Sequence, residues 1–425
     1  MIKRPGQPPL RTIQNVVLPN YSHKTYENGL QLIVVDGGVQ DVFKLEVIFN
    51  VGRHQEHKPL VSRLTLRMLR EGTAKYDSDA IEEMIDFHGS TLETPHNMDA
   101  SGVVLYGLNQ HFTTLLPLLV SMVTEPTFPE HELKEYVSDQ KQDLIVELSK
   151  NDVVAFRQVT ESIFGNTHPY GYNSTPEKYN AVNTDDLKKH FNSFFTANNC
   201  TVVLSGKINN KMISELENKL FSNLPNKKNK LKLINPLPKK NKYSFIENKD
   251  SVQTAIRLGM NLFGRNHEDF NGLYFLNTVM GDYFSSRLML NIREDKGYTY
   301  HIHSAMDSLK HGGSWIVATE TAHEYVEKTL EEINKELKRI KSELIPEDEI
   351  KMVRNYSLGS LLTALDGPFN SSEVIKGIIL NDLEKDSFQD LIHTIKNISQ
   401  KELIELANKY FIEENIYTQL VGVRN

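Results

Sequence analysis

Near the start of the chain, the pattern of apolar and polar residues predicts two strands followed by two helices. Residues 30–35 and 43–51 are rich in apolar and β-branched side chains and have a glycine-containing turn between them, which predicts two strands. Helices are predicted over 60–70 and 79–88. Their ends are marked by Pro59 in the first turn, Ser78 as an N-cap, and the glycines that follow each helix.

The next segments continue this mixture of elements. A further strand is predicted over 101–108, and helices are predicted over 112–123 and 129–150. Strands followed by helices, then by another strand and more helices, are typical of helices stacked on an antiparallel sheet. The sequence therefore predicts an α+β fold.

Two segments far apart in the chain follow the same pattern. Residues 194–206 (FFTANNCTVVLSG) and 410–422 (YFIEENIYTQLVG) both predict a helix ending in two aromatic residues, a polar turn, a strand and a glycine. Leu187 and Leu403 occupy matching places in the helices that precede them. This similarity supports an internal duplication.

The middle of the chain differs in composition from both sides. Residues 223–243 are rich in Lys, Asn and Pro, which predicts a linker because such a stretch buries little surface. The length of 425 residues also fits more than one domain. We therefore expect two homologous domains, 1–222 and 244–425, each a mainly antiparallel sheet with packed helices.

Charge and cysteine content exclude several classes of protein. Lys and Arg number 48 against 55 Asp and Glu, and this net charge of −7 argues against a general nucleic-acid binder. A single cysteine, Cys200, excludes an internal disulfide framework and a cysteine-rich zinc site, and its strand context predicts a core position. No apolar stretch reaches signal-peptide or membrane-span length, so we expect no membrane partner and a cytoplasmic location, or a periplasmic one if a leader has been removed.

Two short strings are candidates for metal chemistry. His54-Gln55-Glu56-His57 precedes Lys58-Pro59, and the residue before a proline avoids helical geometry, so a polar turn is predicted rather than a metal site. Arg63 and Arg67 share one face of the next helix, with Leu66 between them. Guanidinium has no free lone pair, and leucine has no acceptor, so these residues alone indicate an ordinary amphipathic helix.

The surroundings of that helix resemble the insulinase/pitrilysin family of zinc metallopeptidases, which includes the mitochondrial processing peptidase. Val51-Gly52-Arg53, the helix and Gly72-Thr73 match the family's strand, turn and helix ending. The resemblance places the family's H-x-x-E-H motif on Arg63, Leu66 and Arg67. It therefore implies no metal and no catalytic residue on this chain. The third zinc ligand of the family, a Glu, is expected within 143–148, with Glu147 the candidate.

The resemblance continues in the second half of the chain. Residues 281–288 (GDYFSSRL) and 292–300 (IREDKGYTY) are similar to the carboxyl-terminal domain of the family. This likeness implies that Arg293 and Tyr300 hold the substrate carbonyl and its developing oxyanion, with Tyr298 the nearest competitor for the tyrosine role. From the residues alone, Arg293 would pair with a nearby acid and Tyr300 would be a half-buried strand residue.

Three functions remain open at this stage. The leading one is the non-catalytic subunit of a bacterial heterodimeric peptidase, with an active sister chain supplying H-x-x-E-H and zinc around an unfolded peptide. A homodimer is the other possible assembly. The second function is a scaffold that keeps only the fold. The third is a metal-dependent endopeptidase with a site among the candidate histidines His54, His57, His88 and His96.

Overall fold

The computed structural model describes Ile13, residues 15–227 and residues 233–424, and it confirms the α+β class. In the first half, the strands are β1 Ser22–Thr25, β2 Gln31–Asp36, β3 Val42–Phe49, β4 Thr91–Glu93, β5 Ser101–Leu108 and β6 Cys200–Gly206. The helices are α1 Val61–Arg67, α2 Ser78–Phe87, α3 Phe112–Thr124, α4 Glu130–Leu148, α5 Asn151–Phe164, α6 Pro176–Asn180, α7 Thr184–Phe194 and α8 Asn210–Leu216.

The second half repeats this mixture of strands and helices. Its strands are β7 Tyr243–Glu247, β8 Thr254–Leu262, β9 Thr299–Leu309, β10 Gly312–Thr321 and β11 Tyr417–Gly422. Its helices are α9 Phe270–Met280, α10 Val326–Ser342, α11 Glu347–Thr363, α12 Gly367–Leu380, α13 Ser387–Asn397 and α14 Gln400–Tyr410.

The helix starts differ from the sequence-based predictions in two details. Pro59 precedes α1 instead of lying in its first turn, because Leu60 adopts a left-handed conformation (φ 73°) as the N-cap. Asp77, not Ser78, caps α2, since its carboxylate accepts a hydrogen bond from the backbone N–H of Ala80. The Ser78 hydroxyl donates instead to Glu132 at 3.1 Å.

The two sheets share one topology. Their strand orders are β1-β2-β6-β3-β5-β4 and β7-β11-β8-β10-β9. The first sheet has one parallel pair, β2 with β6, and the second sheet has one, β7 with β11. The other neighbouring strands pair antiparallel. Without β1, the order β2-β6-β3-β5-β4 of the first sheet corresponds strand by strand to the order β7-β11-β8-β10-β9 of the second. The sheets are thus mainly antiparallel, as predicted, with one parallel pair each.

The repeated segments are built in the same way. The helices α7 and α14 each begin with a capping box, in which the N-cap side chain and the third helical residue satisfy each other's backbone N–H groups. Leu187 and Leu403, four residues after these N-caps, are both fully buried. The sequence similarity therefore reflects the same local structure, which supports the predicted duplication.

Two helices each pack against the sheet of the other half of the chain and so connect the two halves. Helix α5, from the first half, places Val159 and Ile163 against Ile316 and Tyr417 of the second sheet. Helix α12, from the second half, places Ile375 against Ile33, Val35, Ile48 and Val203 of the first. Both helices contain 14 residues and occupy equivalent places in the repeat. The cleft described below is lined by elements of both halves.

The predicted linker is seen only in part, since residues 228–232 lie outside the described ranges. Beyond them, the backbone N–H of Leu237 donates to the carbonyl of Phe164 at 2.8 Å, so this stretch runs beside the end of α5. The boundaries 1–222, 223–243 and 244–425 stay predictions. Among the described helices, none combines the length and apolar character that crossing a membrane requires.

Candidate functional site

The amino-terminal end of α1 is held by a residue from the histidine-containing string. Glu56 accepts hydrogen bonds from the Tyr172 hydroxyl at 2.6 Å and from the backbone N–H of Ser62 at 3.1 Å. The Tyr172 hydroxyl oxygen in turn accepts from the backbone N–H of Leu60. Burial raises the pKa of Glu56 to about 7. Glu56 thus fixes the start of the helix.

The three positions that the resemblance assigns to the zinc motif lie on α1, where Arg63 and Arg67 contact residues of α4. Leu66 is 1 % exposed and belongs to the core. The guanidinium of Arg63 donates to the Gln140 side chain at 2.6 Å, and Arg67 forms an ion pair with Glu71 at 2.9 Å. Arg67 also lies 5.3 Å from the centre of the Tyr136 ring. Two permanent cations and one hydrocarbon do not fit a zinc ion, because none offers an electron pair.

The residue of α4 that contacts Arg63 is Gln140, outside the predicted window of 143–148. Glu147 is exposed and pairs with Lys150 at 2.6 Å. Asp143 and Glu147 nevertheless line the same cavity as Arg63, whose volume is about 520 Å³. The residue equivalent to the third ligand therefore stays a prediction.

The four histidines weighed as a separate metal site do not converge. His54 contacts His168 and His311, whereas His57 lies 3.2 Å from the Asp186 carboxylate. The rings of His88 and His111 lie 4.8 Å apart elsewhere, and His96 has a buried ring nitrogen without a partner. Across the described ranges, no group of three or more His, Cys, Asp or Glu side chains could hold a metal ion. The structure gives no support to the third function.

His54 lies in a buried cluster at the junction of the two halves. Its ring centre is 5.0 Å from that of His311 and 5.5 Å from that of His168, and neither ring nitrogen has a hydrogen-bond partner. Burial, reinforced by these two imidazoles, lowers the pKa of His54 to about 4. The folded protein therefore holds His54 neutral over a range in which the unfolded chain binds a proton.

This difference predicts a loss of stability in mild acid. Between about pH 6.5, the ordinary pKa of histidine, and pH 4, the unfolded state binds more protons at His54, so its contribution to stability falls as pH falls. We expect His54→Leu to reduce the drop in unfolding free energy between pH 7 and pH 5 by about 1–2 kcal/mol. Urea unfolding at both pH values measures it. His393→Gln, at an exposed histidine, should leave the drop unchanged; an unchanged drop in His54→Leu would contradict the prediction.

Arg293 and Tyr300 come together on the surface of the second half. Arg293 lies in a π-helical segment, Met289–Asp295, and Tyr300 lies at the start of β9, an edge strand. The guanidinium carbon of Arg293 is 5.4 Å from the Tyr300 ring centre and 4.6 Å from that of Phe284. The Arg293 side chain also pairs with Glu294 at 3.3 Å. The basic and phenolic groups thus form one cluster, the Arg293 cluster.

Tyr300 is 85 % exposed, so the expectation of a half-buried strand aromatic is wrong. Tyr300 lies at the start of β9, where the pairing with β10 is interrupted by a register shift. Its hydroxyl has no hydrogen-bond partner among the described residues. Tyr298, the competitor, is instead half-buried and stacks on Tyr325 at 4.9 Å. Of the two tyrosines, Tyr300 is the more exposed, so its hydroxyl is the more accessible donor.

Within one chain, the α1 residues Arg63 and Arg67 and the Arg293 cluster do not form a common site. The cavity beside Arg63 is lined by α4, α5 and the strands β8, β9 and β10, and neither Arg293 nor Tyr300 is among its lining residues. The exposed groups of the Arg293 cluster, Phe284 and Tyr300, are therefore accessible to another molecule.

Comparisons with known proteins agree with this architecture. The profile described as "Insulinase (Peptidase family M16)" matches residues 37–173, and that described as "Peptidase M16 inactive domain" matches residues 181–356. An "Uncharacterized zinc protease" of Bacillus subtilis is 23 % identical over 92 % of this chain and 95 % of its own length. A "Non-peptidase homolog" of Helicobacter pylori is 22 % identical over 71 % of this chain and 70 % of its own.

Among solved structures, the "peptidase M16 inactive domain" of Pseudomonas fluorescens has the same fold. It superimposes with a TM-score of 0.89 at 21 % sequence identity, over 96 % of this chain and 99 % of that one. The likeness in fold therefore extends over both halves of the chain.

Proposed function

Because this chain belongs to the insulinase family of peptidases, family M16, and is an inactive, peptidase-like member, we propose that it is the non-catalytic subunit of a two-chain peptidase. One observation carries the proposal: exposed Tyr300 and Phe284 lie beside Arg293 on the same chain whose α1 has arginines and leucine at the positions that the resemblance assigns to the zinc motif. A surface that keeps substrate-binding chemistry without a metal of its own is incomplete. A related chain with H-x-x-E-H would complete it.

The Arg293 cluster has the chemistry needed to bind a peptide carbonyl. Arg293 is a fixed cation whose carboxylate partner, Glu294, lies at 3.3 Å and is itself half-exposed. The Tyr300 hydroxyl is an unengaged donor on the same surface. Donors positioned before the reaction stabilise negative charge that develops on an oxygen in the transition state. Zinc on the partner would supply the activated water, while this chain would orient the peptide and stabilise the oxyanion.

The competing function is a scaffold without a role in the reaction. The Helicobacter pylori relative is named a non-peptidase homolog, and a chain of that kind would need only the fold. In a scaffold, the exposed Tyr300 and Phe284 would serve as contact surface alone. The two functions differ in whether removing the Arg293 guanidinium lowers the rate of peptide cleavage.

Reconstitution with the sister chain tests the proposal. We expect this chain alone to leave a quenched fluorescent peptide uncleaved, and the sister alone to cleave it about 10²-fold more slowly than the pair. Chelator should abolish the activity of the pair. Chelator-sensitive cleavage by this chain alone would overturn the proposal, as would a sister chain whose rate is unchanged when this chain is added.

A further inference from the structure

The turn between β9 and β10 belongs to the second half of the chain but is bound by the first. Lys310 and His311 form this turn. The backbone N–H of Lys310 donates to the Asp99 carboxylate at 2.9 Å, and that of His311 donates to the hydroxyl oxygen of Tyr170 at 3.3 Å. The Tyr170 hydroxyl in turn donates to Asp99. Both acceptors lie in loops of the first half, so they dock the turn onto that half.

Three imidazole rings from separate segments surround this contact. His54 follows β3, His168 follows α5, and His311 lies in the turn itself. The ring centre of His54 is 5.0 Å from that of His311, 5.5 Å from that of His168 and 4.8 Å from that of Tyr170. Asp99 is the carboxylate beside this group, and both of its oxygens already accept hydrogen bonds. The contact between the halves is thus built around titratable rings.

The surroundings of the ring nitrogens favour the neutral form of each imidazole. The Nε2 of His168 lies 2.8 Å from the carbonyl oxygen of Ile234, and its Nδ1 accepts from the backbone N–H of Tyr170 at 3.1 Å. A second proton, on Nδ1, would break the latter bond. Neither buried nitrogen of His54 has a partner among the described residues, so a charge there would be unsolvated. Burial lowers the pKa of His54, His168 and His311.

The charged groups around the cluster offset this cost only in part. Near His311, Asp99 and Asp382 favour a positive charge, whereas Lys310, which pairs with Asp382 at 2.9 Å, opposes it. Near His54, Asp99 favours a charge and the two neighbouring imidazoles oppose it. The pKa of both rings is lowered nevertheless, so burial outweighs the carboxylates.

Undocking the turn would remove this burial. Half-buried His311 already lines a cavity of about 210 Å³ at the same junction, together with Asp99 and Lys310, so water has a place beside the turn. Once the turn separates from the first half, His54 and His311 reach water and bind protons near pH 6.5, the ordinary value for histidine. The docked form excludes these protons. Docking is therefore fully favoured above about pH 6.5 and weakens as pH falls toward 4.

We propose that the β9–β10 turn is an acid-sensitive latch between the two halves, docked while His54, His168 and His311 are neutral and released when one of them is protonated. Strand β9 supplies His303 and Asp307 to the wall of the cavity of about 520 Å³, so release would loosen that wall. Helices α5 and α12 continue to connect the halves, which makes the release local. The latch concerns this chain alone, so its failure would leave the proposed function intact.

Amide hydrogen exchange of the full-length chain, followed by mass spectrometry, tests the latch. We expect peptides that cover residues 308–313 to lose about tenfold or more of their protection between pH 7 and pH 5, with labelling times scaled to equal intrinsic exchange. Peptides that cover β6 should keep their protection at both pH values, because local release leaves the core folded. An equal loss at β6 would mean global unfolding and would overturn the proposal.

Substitutions identify the groups that titrate. His54→Leu should remove most of the pH dependence at the turn, because leucine keeps apolar contacts and binds no proton. His393→Gln, at an exposed histidine, is the matched control and should keep the full dependence. If His54→Leu melts at a lower temperature than the wild type, His311→Gln provides the same test from the other side of the contact. Wild-type protection that is equal at pH 7 and pH 5, or a loss that both variants leave unchanged, would contradict the latch.

Discussion

Arg293→Gln is expected to lower the kcat of the reconstituted pair by about 10²–10³-fold, the loss typical when one preorganised oxyanion donor is removed. Glutamine keeps a donor but loses the fixed charge and the length of the side chain. KM should change little, since the missing interaction forms mainly in the transition state. Steady-state kinetics on a fluorogenic peptide gives both constants.

The fold should tolerate this change. Arg293 makes its ion pair with Glu294, whose side chain is about half exposed, so unfolding free energy should fall by no more than about 1 kcal/mol. Lys296→Gln is the matched control, because Lys296 is a neighbouring cation that forms an ion pair with exposed Asp295. Equal activity losses in the two variants would favour the scaffold function, and full activity in Arg293→Gln would exclude a role in stabilising the oxyanion.

Several strands, and the shared helical face of Arg63 and Arg67, could be predicted because their signals are local. The strands β2, β3 and β5 follow from short runs of apolar and β-branched residues, and the structure confirms them within about two residues. Counting back from Gly72-Thr73 places Arg63 and Arg67 on one helical face, which they share in the structure. Both predictions use only the periodicity and spacing of residues within about ten positions of one another.

Features formed by distant parts of the chain could not be predicted in this way. Glu56 stands between two histidines in sequence, yet its role depends on Tyr172, 116 positions later. Arg157 and Arg257 are 100 positions apart, and only the packing of α5 on the second sheet brings them into one cavity. Tyr300 lies on β9, whose place at the edge of the sheet follows from the whole sheet order.

The same holds for a buried ion-pair network that joins the halves. Every second position of β3 is occupied by Lys44, Glu46 and Ile48. All three side chains therefore lie on the sheet face that α12 covers. Glu46 is 2 % exposed and pairs with Lys44 at 2.8 Å and with Lys376 of α12 at 2.6 Å. Glu373 of the same helix also contacts Lys44. One buried carboxylate therefore connects two cations from opposite halves of the chain.

Glu46→Ala is accordingly expected to lower the free energy of unfolding by about 3–5 kcal/mol, because it leaves Lys44 buried with a single, half-exposed counter-ion. Urea denaturation measures the change. Glu373→Gln, at that half-exposed carboxylate, should cost only about 1 kcal/mol, since Glu46 continues to hold both lysines.

A double substitution separates the cost of an unpaired charge from the cost of lost packing. Lys44→Met combined with Glu46→Leu removes the buried pair together, so it should recover most of the stability that Glu46→Ala loses. Lys376 would keep Glu373 as its partner at 2.7 Å. If the double variant were as unstable as Glu46→Ala, the network would be stabilising in itself. A loss below about 1 kcal/mol in Glu46→Ala would mean that α12 is held on the first sheet by its apolar contacts alone.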